Sequence, residues 1–159
     1  MLDSMIQEIT DNNISSVESF LKVVAPEQVE FVLGDYFSHG RNFYFGWFEG
    51  GSLCGFISYC IQKIGQEQKT QIISRGSEDL NEAKISGFAV ATSFRNKGIG
   101  RKLQKHVIEH AKNNDCYQLT SYSTIEKVEN YAVKLSLGFC VQPEVQSDGT
   151  QGCYFLKRL

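Results

Sequence analysis

The sequence predicts an α/β fold of the α+β kind, with elements in the order β-α-α-β-β-β-α-β-α-β-β. Three observations carry this. An apolar, strand-like segment at residues 85–90 leads through a polar turn into Arg95-Asn96-Lys97-Gly98-Ile99-Gly100, after which Ile99, Leu103, Val107 and Ala111 recur at helical spacing. Two aromatic or apolar segments, residues 42–49 and 53–64, flank Gly50-Gly51, the residue chemistry of a tight hairpin. A fourth helical pattern, residues 128–137, stops at Gly138, and two further strand-like segments follow.

In chain order, residues 5–9 read as a short strand, and Asp11, Asn12 and Asn13 offer caps for a helix with Ile14, Val17, Leu21 and Val24 on one face. Ala25-Pro26-Glu27 ends that helix and opens another, since proline is tolerated in a first helical turn. Val29, Val32, Leu33, Tyr36 and Phe37 mark its expected buried stripe. The aromatics Phe43, Tyr44, Phe45, Trp47 and Phe48 suggest a strand covered on both faces, so the hairpin belongs inside the sheet. Residues 65–82 are polar and read as a long solvated connection, with room for one short strand at 70–74. Asn113, Asn114 and Asp115 close the central helix, and residues 117–123 form the next strand. Gly138 supplies a left-handed helix end. The last strands, residues 139–145 and 152–157, are joined by Gln146-Ser147-Asp148-Gly149-Thr150, where Asp-Gly is a hairpin signal.

At 159 residues the chain is expected to form a single domain, residues 1–159, large enough to bury a core without staples. Its apolar fraction of 42% and charged fraction of 21% are those of ordinary globular proteins. A net charge of -2 offers no reason to expect nucleic-acid or membrane binding, and no apolar run approaches a membrane span. The acidic start lacks a signal-peptide core, and the five cysteines form no C-x-x-C pair, so core thiols and a cytoplasmic location are expected. His39, His106 and His110 share no ligand spacing with a cysteine pair, and no metal is expected.

The basic residues Arg95, Lys97, Arg101, Lys102 and Lys105 crowd the glycine loop. A helix start exposes N–H groups that have no intrahelical partner, and the helix dipole adds positive potential there. Glycines at 98 and 100 leave room for an anion to approach that backbone, and the loop reads as a pyrophosphate cradle. The third glycine of the dinucleotide fingerprint is Leu103, and no Gly-Lys-Ser/Thr follows, so neither a Rossmann loop nor a Walker A loop is present.

The R-x-x-G-x-G pattern between strand and helix resembles the acetyl-CoA loop of the GCN5-related N-acetyltransferase (GNAT) family. Gly138-Phe139, 38 residues after Gly100, is similar to the point where that family's second helix closes, and the element order agrees. The resemblance implies a central mixed, mostly antiparallel sheet flanked by helices, with a bulge ending the strand before the loop. It implies an enzyme that transfers an acetyl group from acetyl-CoA to a primary amine. The backbone N–H groups of Arg95, Asn96, Lys97, Gly98, Ile99, Gly100, Arg101 and Lys102 would hold the diphosphate. Phe88, Ala89 and Val90 would pair by backbone with the pantetheine arm, the Val90 N–H pointing at the thioester oxygen.

The chain departs from the family where catalysis is expected. The tyrosine that protonates the departing thiolate in most members is replaced by Lys134, and the usual cofactor-contacting asparagine by Lys127. A shifted helix register would hand those roles to Tyr131 and Asn130; in the usual register Lys134, near the ordinary lysine pKa of about 10.4, would be a poor acid. The glutamate some relatives use as base is replaced by Lys84, while Glu82 is read as lying in the loop. Tyr122 remains as a base acting through water, with Tyr59 a weaker candidate. Two other readings stay open: a non-catalytic acyl-CoA-binding module of the same fold, and a basic helix start serving a phosphoprotein interaction. The acceptor, the acyl chain length and the assembly, a homodimer included, are not legible.

Overall fold

The computed structural model describes residues 6–145 and 148–159. Met5 of the first predicted strand, and Gln146 and Ser147 of the last hairpin loop, lie outside the described residues. The elements follow the expected order with one addition. Strand β1 (Ile6–Glu8) precedes helices α1 (Ile14–Val24) and α2 (Val29–Leu33), and the hairpin β2 (Arg41–Glu49) and β3 (Ser52–Lys63) follows. A small extra hairpin, β4 (Ser74–Arg75) and β5 (Glu78–Asp79), comes before β6 (Asn81–Val90) and α3 (Ile99–Asn113). The chain ends with β7 (Gln118–Thr124), α4 (Val128–Ser136), β8 (Cys140–Val145) and β9 (Gln151–Arg158).

Seven strands form one sheet in the order β1-β2-β3-β6-β7-β9-β8. The pairs β1–β2, β7–β9 and β8–β9 are antiparallel and β6–β7 is parallel, so the sheet is mixed. The β2–β3 hairpin is interior to it, as its aromatic pattern predicts. Gly50 and Gly51 both take positive φ, 57° and 81°, the backbone that a two-residue hairpin turn needs.

By contact, the chain divides into two compact units: residues up to 60 with 86–107, and 61–85 with 108–159. The core of the first unit joins Ile9, Val17, Phe20, Leu21, Ala25 and Val32 to Phe56 and Ala89. Helix α3 presses Ile99 and Leu103 onto β3 at Gly55, where an added Cβ would lie 2.9 Å from Ile99 and 3.1 Å from Leu103. The second helix is shorter than its apolar pattern suggests. Gly34 ends it, because a Cβ there would run into the Glu30 carbonyl, and Tyr36 on the following turn is 53% exposed rather than part of a buried stripe.

Strand β6 starts four residues earlier than its apolar segment implied. Asn81 and Glu82 look like loop because they are polar, yet Glu82 is 2% exposed on the strand. Its two carboxylate oxygens accept from Gln62 Nε2 at 2.9 Å and Gln118 Nε2 at 2.8 Å. The preceding connection is not simply solvated either: Glu67 folds back, accepts from Gln62 and pairs with Lys84 Nζ at 3.5 Å. Buried polar groups are tolerated when each finds a partner.

Beyond Ser86, whose hydroxyl still meets that of Ser58 opposite it at 2.8 Å in the register of the Ile64–Leu80 pair, β6 carries an extra residue. Ile64 N–H bonds to Leu80 O, and Ala91 N–H bonds to Cys54 O. Between these pairs one strand advances ten residues and the other eleven. That mismatch is a β-bulge, the feature expected before the glycine loop.

Replacing Glu82 with Ala is expected to lower unfolding stability by about 3 kcal/mol, because two buried amides lose their acceptor. Urea unfolding at constant m-value measures this; a loss well under 1 kcal/mol would show that the network contributes little.

Candidate active site

The glycine loop lies in the first unit. A short turn, Thr92–Phe94, leaves β6, and Asn96 and Gly98 then take left-handed backbone at φ 59° and 77°. The first bond of α3 runs from Lys102 N–H to Gly98 O at 3.0 Å, and N–H groups before such a start have no intrahelical acceptor. Arg95, Lys97, Arg101, Lys102 and Lys105 are exposed around this helix end. Lys97 lies over the Phe94 ring and Lys102 over Trp47, which keeps both ammonium groups near the loop.

The two glycines have different reasons to be there. A Cβ on Gly98 would meet nothing within 4 Å, so that position is open to a ligand. A Cβ on Gly100 would lie 2.9 Å from the tip of the Phe88 ring, so this glycine also lets the helix settle against β6. Phe88, Ala89 and Val90 sit at or beyond the bulge. The Val90 carbonyl accepts from Arg95 Nε at 3.0 Å. The Phe88 N–H and C=O are both engaged by the Gln28 side chain, at 2.9 and 3.0 Å.

The candidate catalytic residues lie in the second unit, on or beside β7 and α4. Lys134 is 2% exposed; its Nζ donates to Ser121 Oγ at 2.7 Å and Ser123 Oγ at 2.6 Å, and sits 4.7 Å from the Phe155 ring centre. Burial, with a smaller contribution from the positive charge of Lys84, pulls its pKa down to about 7. This corrects the expectation of an ordinary lysine. An aliphatic stem in an apolar setting with hydroxyl partners, and no carboxylate, favours the neutral amine.

Tyr131, one turn earlier, faces the same place. Its hydroxyl donates to the Ser123 and Thr124 carbonyls at 3.0 and 3.1 Å, and its ring meets Phe155 edge-on. Burial and the neighbouring Cys153 thiol push it up to about 12. Its proton is therefore tightly held. Asn130 is half-buried in the first turn of α4. The Tyr122 hydroxyl donates to the Glu144 and Thr150 carbonyls at 3.4 and 3.3 Å, leaving its oxygen able to accept. Tyr59 is fully buried and stacked on Phe43, a packing residue.

Lys84, at the position where some relatives hold a glutamate, stays charged. Burial works against its charge, but Tyr154 and Glu67 outweigh that and hold the pKa above the ordinary lysine value. Its Nζ is 3.3 Å from the Tyr154 hydroxyl. No local pattern marks Glu67, Gln62, Gln118 or Tyr154 in the sequence, because their partners lie up to 70 positions away. His106 and His110 are half-buried on α3, and His106 packs against Phe45. Cys54, Cys60 and Cys116 are buried thiols, whereas Cys140 is exposed and Cys153 half-buried, so only three fit the core reading. No three metal-binding side chains converge among the described residues. No helix among them is long and apolar enough to cross a membrane.

A lysine with a depressed folded-state pKa penalises folding most below that pKa, and the penalty fades as pH rises towards its unfolded value of about 10.4. Between about pH 7 and 10 the native protein should thus gain stability relative to Lys134→Met, by up to about 1.4 kcal/mol per pH unit. Parallel denaturation of both proteins across that range reads it, and parallel curves would contradict a depressed pKa.

The acetyltransferase (GNAT) family model matches residues 9–139. No curated protein matches in sequence. Among solved structures, the chain is similar to an IAA acetyltransferase from Bacillus cereus ATCC 14579, with TM-score 0.65, 19% identity and coverage of 97% of this chain and 98% of that one. It is also similar to Arabidopsis thaliana NAA60 in complex with acetyl-CoA, with TM-score 0.74, 13% identity and 97% of each chain covered. For the ribosomal-protein-S18-alanine N-acetyltransferase from Escherichia coli the values are 0.66 and 15%, over 96% of this chain and 92% of that one. At these identities the structures establish a shared fold. The family model spans most of the sequence, the bulged strand and the glycine loop included: the chain belongs to the acetyltransferase (GNAT) family.

Proposed function

We propose that this protein transfers an acetyl group from acetyl-CoA to a primary amine. The observation that carries the reading is the basic glycine loop at the start of α3, directly after a bulged strand, in a chain of this family. The loop suits a diphosphate: it combines left-handed backbone at Asn96 and Gly98, open space at Gly98 and five cationic side chains. The backbone of Phe88 to Val90 would hold the pantetheine arm, with the Val90 N–H aimed at the thioester oxygen. Acetyl-CoA supplies the activated acetyl thioester. The acceptor nitrogen forms the new bond to the acetyl carbon as the carbon–sulfur bond breaks. The sulfur then needs a proton, and the amine must lose one.

Among the candidates, Lys134 fits the acid role in this reading. A pKa of about 7 keeps a large share protonated at neutral pH and makes it a far stronger acid than an exposed lysine. Tyr131, held to two carbonyls and pushed up to about 12, is better suited to fixing the end of β7. The Tyr122 oxygen is available to a water that accepts the amine proton.

Two variants of one position test the cradle. Gly98→Asp adds a carboxylate in open space, while Gly98→Asn adds nearly the same volume without charge; both residue types tolerate left-handed backbone. Calorimetry should show acetyl-CoA affinity falling at least tenfold further in the Asp variant than in the Asn variant. Equal affinities would place the diphosphate elsewhere. Lys134→Ala should lower turnover by roughly a hundredfold with acetyl-CoA affinity unchanged. The wild-type rate at saturating neutral amine should decline above about pH 7, where Lys134 loses its proton. A mild effect with an unchanged pH profile would remove Lys134 from the chemistry.

A further inference from the structure

Gln28 ends the short turn Pro26–Gln28, directly before α2. Its side chain makes a two-point contact with one residue of β6: Nε2 donates to Phe88 O at 3.0 Å, and Oε1 accepts from Phe88 N–H at 2.9 Å. That exchange of an N–H and a C=O with a single residue is what a neighbouring antiparallel strand provides. Here a side-chain carboxamide takes the place of a peptide group. The bulge makes this possible. Ala91 N–H is directed at β3, and Phe88 lies on the strand past the extra residue, with both its backbone groups turned to Gln28. The contact is half-buried and is anchored by Ala25, which is buried and whose carbonyl accepts from the Gln28 N–H at 3.0 Å.

We propose that Gln28 is a resident surrogate for the amide of the incoming pantetheine arm, and that it must leave Phe88 before acetyl-CoA can seat. This rests on the acetyl-CoA reading above. A backbone N–H has one hydrogen to give, so Gln28 and the arm cannot both be its main partner. The carboxamide satisfies a strand edge whose N–H and C=O would otherwise be unpaired and partly buried. It also makes cofactor entry an exchange of hydrogen bonds rather than a net gain. Gln28 thereby sets the apparent affinity for the cofactor, and its release frees the start of α2 from β6.

The test compares wild type with Gln28→Ala by acetyl-CoA calorimetry. Circular dichroism checks that the variant is folded. Removing a competitor that makes two hydrogen bonds should tighten binding roughly five- to thirtyfold. In the wild type, the Gln28 side-chain NH₂ signals, assigned by their absence from the variant's nitrogen–proton spectrum, should move to solvent-exposed values at saturation. Equal or weaker binding by a folded variant overturns the proposal, as do Gln28 signals that stay in place when acetyl-CoA is bound. Absence of binding by both proteins is a different failure. It would remove the acetyl-CoA reading, and this proposal with it.

Discussion

One extra residue in β6 governs what the strand can do. Before the bulge, Glu82, Ala83 and Lys84 pair in parallel register with Gln118, Leu119 and Thr120, and the strand behaves as sheet interior. After it, Phe88 offers its N–H and C=O to a side chain instead of a strand, and the chain leaves the sheet for the glycine loop. A strand that kept its phase would place those groups against β3. The bulge is thus the step that converts a structural strand into a ligand-facing edge, and Gly100, packed against the Phe88 ring, seats the helix that follows.

The second unit meets a different constraint, the burial of charge. Lys84 and Lys134 are both nearly inaccessible, yet they settle in opposite ways. Lys84 has Glu67 and Tyr154 beside it and remains charged. Lys134 has serine hydroxyls and an aromatic face, none of which carries a negative charge, and is driven towards the neutral form. The same side chain in two settings therefore supplies a fixed cation and a group that titrates near neutrality. Their identity as lysines says little about either role.

What was legible in the sequence is what local chemistry encodes. Gly50-Gly51 marks a hairpin because two positive φ values favour glycine, and Gly138 at φ 83° marks a helix end for the same reason. The strand, loop and helix around Gly98 and Gly100 carry their pattern within some thirty residues. What was not legible depends on partners far along the chain. Asn81 and Glu82 read as loop because the polarity of Glu82 is matched only by the distant Gln62 and Gln118, and the Glu67 and Tyr154 that hold Lys84 are equally remote. The depressed pKa of Lys134 needs its burial against β7 and β9, and the Gln28 contact spans 60 positions. The early end of α2 has a local cause, Gly34, but its backbone angles are ordinary and only the crowding by Glu30 reveals the need for glycine.

Fold, loop and buried lysine meet in one claim, that this chain moves an acetyl group from a thioester to nitrogen. The direct measurement is a two-channel assay over a panel of primary amines, reading free CoA thiol and acetylated product by mass in the same reaction. For at least one amine, thiol and acetylated product should appear in equal amounts, at a rate that depends on the protein. Tight acetyl-CoA binding with no thiol release across small-molecule and peptide amines would contradict it, and would make the chain a cofactor-binding module built on an enzyme's fold.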